Sequence, residues 1–174
     1  PTLYPYLKEL IQEFHARGMT TFVVTNGTNP AVLRGIRPYQ LYVSLNAPDE
    51  ATYKEVSPAH YWPLIKESFE ELRRLKVEAR TRTAIRITCI EGVNMKNPEG
   101  YAELLQIANP DFIEVKAYMH IGYSRKRLNR AAMPTHARVR EFATELVDRL
   151  AATSRYTIVD ESELSRVVLI SSTN

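Results

Sequence analysis

Phe112-Ile113-Glu114-Val115-Lys116-Ala117-Tyr118-Met119-His120 alternates in polarity with a period of two, which reads as a β-strand. Ile113, Val115, Ala117 and Met119 fall on one face, and Glu114, Lys116, Tyr118 and His120 on the other. The strand runs into Gly122-Tyr123-Ser124-Arg125-Lys126-Arg127-Leu128-Asn129-Arg130, a loop that sets four cations beside a tyrosine. A strand buried between helices is normally apolar on both faces, so an ionisable face needs a ligand, partners or water to compensate it. The polar face is therefore expected to line an open barrel that holds a polar ligand.

The same alternation recurs upstream. Gln40-Leu41-Tyr42-Val43-Ser44-Leu45-Asn46 puts Tyr42, Ser44 and Asn46 on one face. Arg82-Thr83-Ala84-Ile85-Arg86-Ile87-Thr88-Cys89 puts Arg82, Ala84, Arg86 and Thr88 on one face, with Ile85, Ile87 and Cys89 opposite. Thr20-Thr21-Phe22-Val23-Val24-Thr25 is a β-branched run ending in Asn26-Gly27-Thr28, a strand that turns into a loop. Helical spacing over Leu7, Leu10, Ile11 and Phe14, over residues 61–75, near 99–108 and over 135–150 separates these strands, with a helical turn at 49–54. Strand and helix alternating at this spacing predict α/β architecture with right-handed βαβ units and a parallel sheet. Two short tail strands, 156–160 and 167–170, are expected to extend it. The barrel domain is assigned to residues 1–152 and its strand extension to 153–174.

At 174 residues, 44% hydrophobic and 25% charged, the chain has the composition of one ordinary globular domain. Its net charge of +3 is mild, so only the clustering of cations at 125–130 points to a partner. No run is long enough to span a bilayer, and no membrane partner is expected. Cys89 is the sole cysteine, which excludes an internal disulfide and a self-contained iron–sulfur or zinc–cysteine site. No metal ligands are assigned, and a cytoplasmic location is expected. The opening Pro1-Thr2-Leu3-Tyr4-Pro5 leads at once into a helix, so the chain is expected to lack an N-terminal part.

In βα barrels ligands sit at the carboxyl ends of the strands. Hydroxyls and amides dominate the first three such ends, and they suit the polar groups of a small molecule more than acid–base catalysis. Each has a plainer reading. Asn26-Gly27 is a common turn, Asn46 can cap the next segment, and Arg86 can be the partner of Glu114. Lys116 can be a polar contact, an ion-pair member or a Schiff-base amine. The loop at 123–130 is either a solvated basic loop or a phosphate-binding surface whose tyrosine stacks on a base.

Several stretches resemble a known family. Pro1-Thr2-Leu3-Tyr4-Pro5 is similar to the segment after the Gly-Gly-Glu-Pro element of radical SAM enzymes. Residues 22–28, 40–49 and 87–94, and above all Val115-Lys116-Ala117-Tyr118-Met119-His120-Ile121-Gly122-Tyr123-Ser124-Arg125-Lys126-Arg127-Leu128 with Met133-Pro134-Thr135-His136, resemble the archaeal-type tRNA wybutosine-synthesising enzymes, the 4-demethylwyosine synthases. The resemblance implies a partial (β/α)6 radical SAM-type barrel, here truncated at its N-terminus. It implies S-adenosylmethionine and a 4Fe-4S cluster as cofactors, the cluster held by cysteines upstream of this chain. It implies a lyase-type condensation of pyruvate with 1-methylguanosine beside the anticodon of tRNA-Phe, an electron donor for the cluster, and a monomer.

By position, the resemblance places Thr25, Asn26, Ser44, Asn46, Thr88, Gly92 and Asn94 against S-adenosylmethionine. It places Arg86, Lys116, Tyr118, His120, Tyr123, Arg125, Lys126, Arg127 and Arg130 towards the modified guanosine and its tRNA. No catalytic residue is assigned, and these residues alone are expected to be inactive. Two rival readings stand beside this one: a non-catalytic RNA-binding module, and a Schiff-base lyase using Lys116.

Overall fold

The structure is a computed structural model that describes residues 1–57, 59–151 and 156–172. Four parallel strands, β1 (Phe22–Thr25), β2 (Gln40–Ser44), β3 (Arg82–Cys89) and β4 (Phe112–Ala117), lie side by side in chain order. An antiparallel hairpin of β5 (Tyr156–Ser162) and β6 (Val167–Ser172) continues the sheet, with β6 against β4 and β5 at the edge. The expected tail strands thus extend the sheet, and they make it mixed. The expected division at 152/153 lies outside the described residues.

Among the described residues six helices accompany the strands: α1 (Leu7–Ala16), α2 (Pro30–Gly35), α3 (Glu50–Val56), α4 (Trp62–Ala79), α5 (Pro98–Ala108) and α6 (His136–Leu150). Their ends follow local chemistry. Asp49 caps α3 by accepting from the Thr52 N–H at 2.8 Å, and Thr135 caps α6 by accepting from Arg138 N–H at 3.2 Å. Pro98 occupies the first turn of α5, where its missing N–H costs nothing.

The alternation of the strands separates two environments. Leu41, Val43, Ile85, Ile87, Cys89, Ile113, Val115, Ala117, Val168 and Ile170 are fully buried in one core with Phe69, Leu72 and Leu75 of α4, Leu105 of α5, and Phe142 and Leu146 of α6. Each of the valine, leucine, isoleucine and phenylalanine side chains among them contributes about 1.5–3 kcal/mol by leaving water. Tyr42, Ser44, Arg86, Thr88, Glu114 and Lys116 on the opposite face are only half-buried. The sheet is therefore covered on one side and carries its polar groups on the other.

Two expectations at strand ends are corrected. The strand expected over residues 40–46 stops at Ser44, because Asn46 turns its side chain onto the next strand. The strand expected over 112–120 stops at Ala117, because the Ile121 N–H folds back onto the Met119 carbonyl at 2.8 Å. Alternation ends there, so Met119, expected on the apolar face with Ile113, Val115 and Ala117, is 41% exposed.

Candidate active site and RNA-facing surface

The carboxyl ends of β1 and β2 frame a pocket of about 260 Å³. Asn26, Ser44, Asn46 and Arg127 line it with Tyr53 and Trp62, whose rings lie 5.6 Å apart. Ser44 and Asn46, adjacent in sequence to the β2 end, are thus brought together with Asn26 and with an arginine more than eighty positions away. Sequence reasoning missed Tyr53 and Trp62. The available signal was their position on the two helices that come next in the chain after β2, Tyr53 within α3 and Trp62 at the start of α4.

Loop structure sets the entrance. Thr25 is buried, and its hydroxyl accepts from Gly27 N–H at 3.2 Å. Asn26 is exposed, and its carbonyl oxygen accepts from both the N–H and the hydroxyl of Thr28. Both residues therefore make the turn, and only Asn26 also lines the pocket. Gly27 is required here: its φ is +73°, and a Cβ would meet Val43 Cγ1 at 2.9 Å.

Asn94, expected against S-adenosylmethionine, is built into the scaffold in this structure. It is 1% exposed; its Oδ1 accepts from Ile90 N–H at 2.7 Å, and its Nδ2 donates to the carbonyls of Asn46 at 2.9 Å and Thr88 at 2.8 Å. Both amide protons are spent, so the side chain has no donor left for a cofactor. Asn46 completes the latch by accepting from Thr88 N–H at 3.1 Å. It does not cap the following helix; Asp49 does.

On the open face β2, β3 and β4 place Ser44, Arg86 and Glu114 in one row across the strands. Arg86 Nε donates to Glu114 Oε1 at 2.8 Å and Nη2 to Oε2 at 3.2 Å, while its guanidinium lies 4.8 Å from the Tyr42 ring centroid. Burial, with the Glu114 carboxylate second, pushes the Tyr42 phenol up, so it stays an intact O–H. Arg86 is thereby held by the structural pairing weighed from the sequence. Thr88 and Lys116 form the next row, and the Lys116 ammonium makes no hydrogen bond or ion pair among the described residues.

Tyr118, expected on the open lumen, is 6% exposed and sits in a small second core with Ile90 and Ala132, beneath Val93, Leu128 and Met133. Its hydroxyl alone is engaged with polar neighbours, His120 Nδ1 at 3.2 Å and Ser124 Oγ at 3.0 Å. The loop beyond makes two short 3-10 turns, Gly122–Lys126 and Arg130–Ala132. Tyr123, Arg125, Lys126, Arg127 and Arg130 are all exposed. Lys126 lies over the Tyr123 ring at 5.1 Å, and Arg127 reaches the Val56 carbonyl at 3.5 Å. Gly92 borders a second hollow of about 310 Å³ that Arg127 shares. Arg127 thus joins the basic loop to both hollows.

Cys89 is wholly buried in the helix-side core, and burial pushes its thiol up to about 12. A single thiol sealed in an apolar core has neither partner cysteines nor room beside it for a cluster. No group of three or more histidine, cysteine or acidic side chains suited to a metal occurs among the described residues. No helix among them is long and apolar enough to cross a membrane.

A mixed α/β sheet with four parallel strands, one covered face, polar strand ends and a basic exit loop is consistent with a partial barrel of the radical SAM class. A model of the Radical SAM superfamily matches residues 1–105, and the chain belongs to that family. A second model, for wyosine base formation, matches residues 107–172. Within this class the chain is homologous to archaeal and eukaryotic tRNA 4-demethylwyosine synthases. The S-adenosyl-L-methionine-dependent tRNA 4-demethylwyosine synthase of Pyrococcus abyssi is 48% identical over 178 aligned positions, which cover 98% of this chain and 50% of the relative. The Homo sapiens enzyme is 33% identical over 98% of this chain. The solved structure of TYW1 with a lysine-pyruvate adduct bound is 40% identical and superposes with a TM-score of 0.84, covering 99% of this chain and 53% of that one. The chain spans about half the length of the archaeal relatives it matches.

Proposed function

We propose that this chain is the substrate-facing part of a radical S-adenosylmethionine enzyme that condenses pyruvate with 1-methylguanosine beside the anticodon of tRNA-Phe, giving 4-demethylwyosine. The pocket of Asn26, Ser44 and Asn46 takes the polar groups of S-adenosylmethionine, which that family uses with a 4Fe-4S cluster. The cluster does not fit the residues present. The chain has one cysteine, sealed in the core, so no step is assigned to the cluster here. A cluster and its electron donor belong, on this reading, to residues outside this chain.

The observation that carries the reading is the state of the basic loop. Arg34, Arg74, Arg138, Arg140 and Arg149 are all held by carboxylates. Arg125, Lys126, Arg127 and Arg130 are exposed and, among the described residues, form no ion pair. Four uncompensated cations around an exposed tyrosine suit phosphates and an unpaired base. The loop also falls inside the segment matched by the wyosine model.

The test is binding of an anticodon stem–loop RNA carrying 1-methylguanosine, as a function of salt. Salt-sensitive binding, with S-adenosylmethionine bound once the chain is extended upstream, supports the reading. Absence of RNA binding at low salt overturns it. A 4Fe-4S spectrum after anaerobic reconstitution of these 174 residues alone would overturn the assignment of the cluster elsewhere. Borohydride trapping of a keto acid on Lys116 would not separate this reading from a Schiff-base lyase, because a lysine-pyruvate adduct occurs in the TYW1 structure as well.

A further inference from the structure

The hydrogen bonds around His120 form a line whose direction is fixed at its far end. The Ile121 carbonyl can only accept, so the Ser124 hydroxyl spends its single proton there, at 2.7 Å. The Tyr118 and Ser124 oxygens lie 3.0 Å apart; with the serine proton committed, the tyrosine donates. The Tyr118 oxygen then accepts from its remaining neighbour, His120 Nδ1 at 3.2 Å, so Nδ1 carries the proton. A neutral imidazole holds one proton, which leaves a lone pair on Nε2.

His120 Nε2 makes no hydrogen bond among the described residues. It is not sealed either: the one buried side-chain polar atom lacking a partner among them is His136 Nδ1. The His120 backbone N–H is tied to Met133 Sδ at 3.0 Å, so the residue is held at backbone and ring. Its neighbours in sequence are the basic loop on one side and the small core around Tyr118 on the other. A lone pair of fixed identity therefore sits on the residue that joins the basic loop to that core.

We propose that His120 is a proton acceptor for the substrate, with Tyr118 and Ser124 as the positioning residues that fix its tautomer. The inference rests on the proposed function and deepens it. Closing a ring on guanine joins the exocyclic amine to a carbonyl carbon. The nitrogen lone pair forms the N–C bond as the C–O π pair moves to oxygen. Each of the two N–H protons passes in turn to Nε2 and is delivered from there to that oxygen, which leaves as water. The imidazole ends as it began.

The first measurement is a long-range ¹H–¹⁵N correlation spectrum of the histidine rings of the 174-residue chain. It is taken above about pH 8, where an ordinary imidazole is neutral. His120 is expected with Nδ1 at the protonated end of the nitrogen scale and Nε2 at the unprotonated end. Tyr118→Phe is expected to shift both signals towards the averaged values of a free imidazole with the fold retained. A proton on Nε2 in the parent chain, or signals unmoved by Tyr118→Phe, overturns the relay.

The second is carbethoxylation of His120 with and without the 1-methylguanosine stem–loop RNA. Protection on RNA binding is expected. Bound RNA with no protection of His120 overturns the inference and leaves the proposed function standing. No RNA binding removes both.

Discussion

Arg86 and Glu114 face each other across β3 and β4 as a two-bonded ion pair, at 2.8 and 3.2 Å, with the Tyr42 ring against the guanidinium. The side chains are 28% and 13% exposed, so each charge relies on the other more than on water. Glu114→Gln is expected to destabilise the fold by about 1.5–3 kcal/mol, because a charged hydrogen bond is lost and a cation stranded. Urea unfolding measures it. A double-mutant cycle with Arg86→Met should show that most of this cost disappears when both partners are removed.

Asn94 ties three backbone groups from the ends of β2 and β3 and the loop beyond them. Asn94→Ala leaves one N–H and two carbonyls without their partner in a site with 1% exposure. A loss of about 2–4 kcal/mol is expected, each stranded group costing about 1–3 kcal/mol with partial recovery by water. Asn94→Asp restores the acceptor but not the two donors, so it should remain destabilised. Equal stability of Asn94→Ala and the parent chain in thermal melts would show that the latch holds nothing together.

Gly27→Ala combines a left-handed φ of +73° with a 2.9 Å approach to Val43 Cγ1. The expected cost is about 1–3 kcal/mol, a drop in Tm of several degrees for a chain of this size. Gly92, at φ +74° with open space around its Cβ position, should lose only about 1 kcal/mol in Gly92→Ala. The difference between the two isolates the steric term.

Arg125→Ala/Arg127→Ala should leave the melting curve of the chain close to the parent's, since neither residue forms an ion pair among the described residues. RNA affinity should fall, and the slope of log K against log salt should decrease by about 1–2. Filter binding over a salt series measures both. Unchanged affinity would make the loop a solvated surface.

Glu71 of α4 binds Arg74 at 2.7 Å and Arg34 of α2 at 2.7 Å. Burial alone would raise its carboxyl, but the two guanidiniums outweigh that and leave it below its ordinary 4.5. A carboxylate depressed in the folded state binds fewer protons there than in the unfolded chain. Its contribution is therefore complete above the unfolded value and is lost as pH falls through the folded one. Chemical denaturation between pH 6 and pH 3 should show stability falling with acid, and Glu71→Gln should flatten that limb while lowering the neutral plateau.

Much of the fold was legible because its signal is local. Alternation over residues 112–117, 82–89 and 40–44 needs only the pleat of a strand and the insolubility of branched side chains, and it correctly separated Ile85, Ile87 and Cys89 from Arg86 and Thr88. The helix starts expected at 49 and 135 are likewise local, though the caps that Asp49 and Thr135 supply there were not foreseen. The site was legible only in part. Periodicity carried past Ala117 misplaced Met119 and put Tyr118 in an open lumen, because a backbone turn at Met119 and Ile121 cancels the pleat. Asn94, read as a ligand contact, has its polar atoms claimed by strands 48 and 6 positions away.

The order of polar and apolar residues by itself determined that this chain would build parallel strands with one greasy and one ionisable face, and that its cations would gather after the fourth. It could do so because burial of a side chain on a regular element depends on the element's own period. Only the tertiary structure decided which polar groups stay available. Arg86, Asn94 and Tyr118 are consumed by Glu114, by backbone groups and by a small core, while the Ser44 and Lys116 side chains and His120 Nε2 keep no hydrogen bond, and the loop cations no ion pair, among the described residues. That division is set by through-space distances of about 3 Å between residues far apart in the chain, to which no local pattern is sensitive.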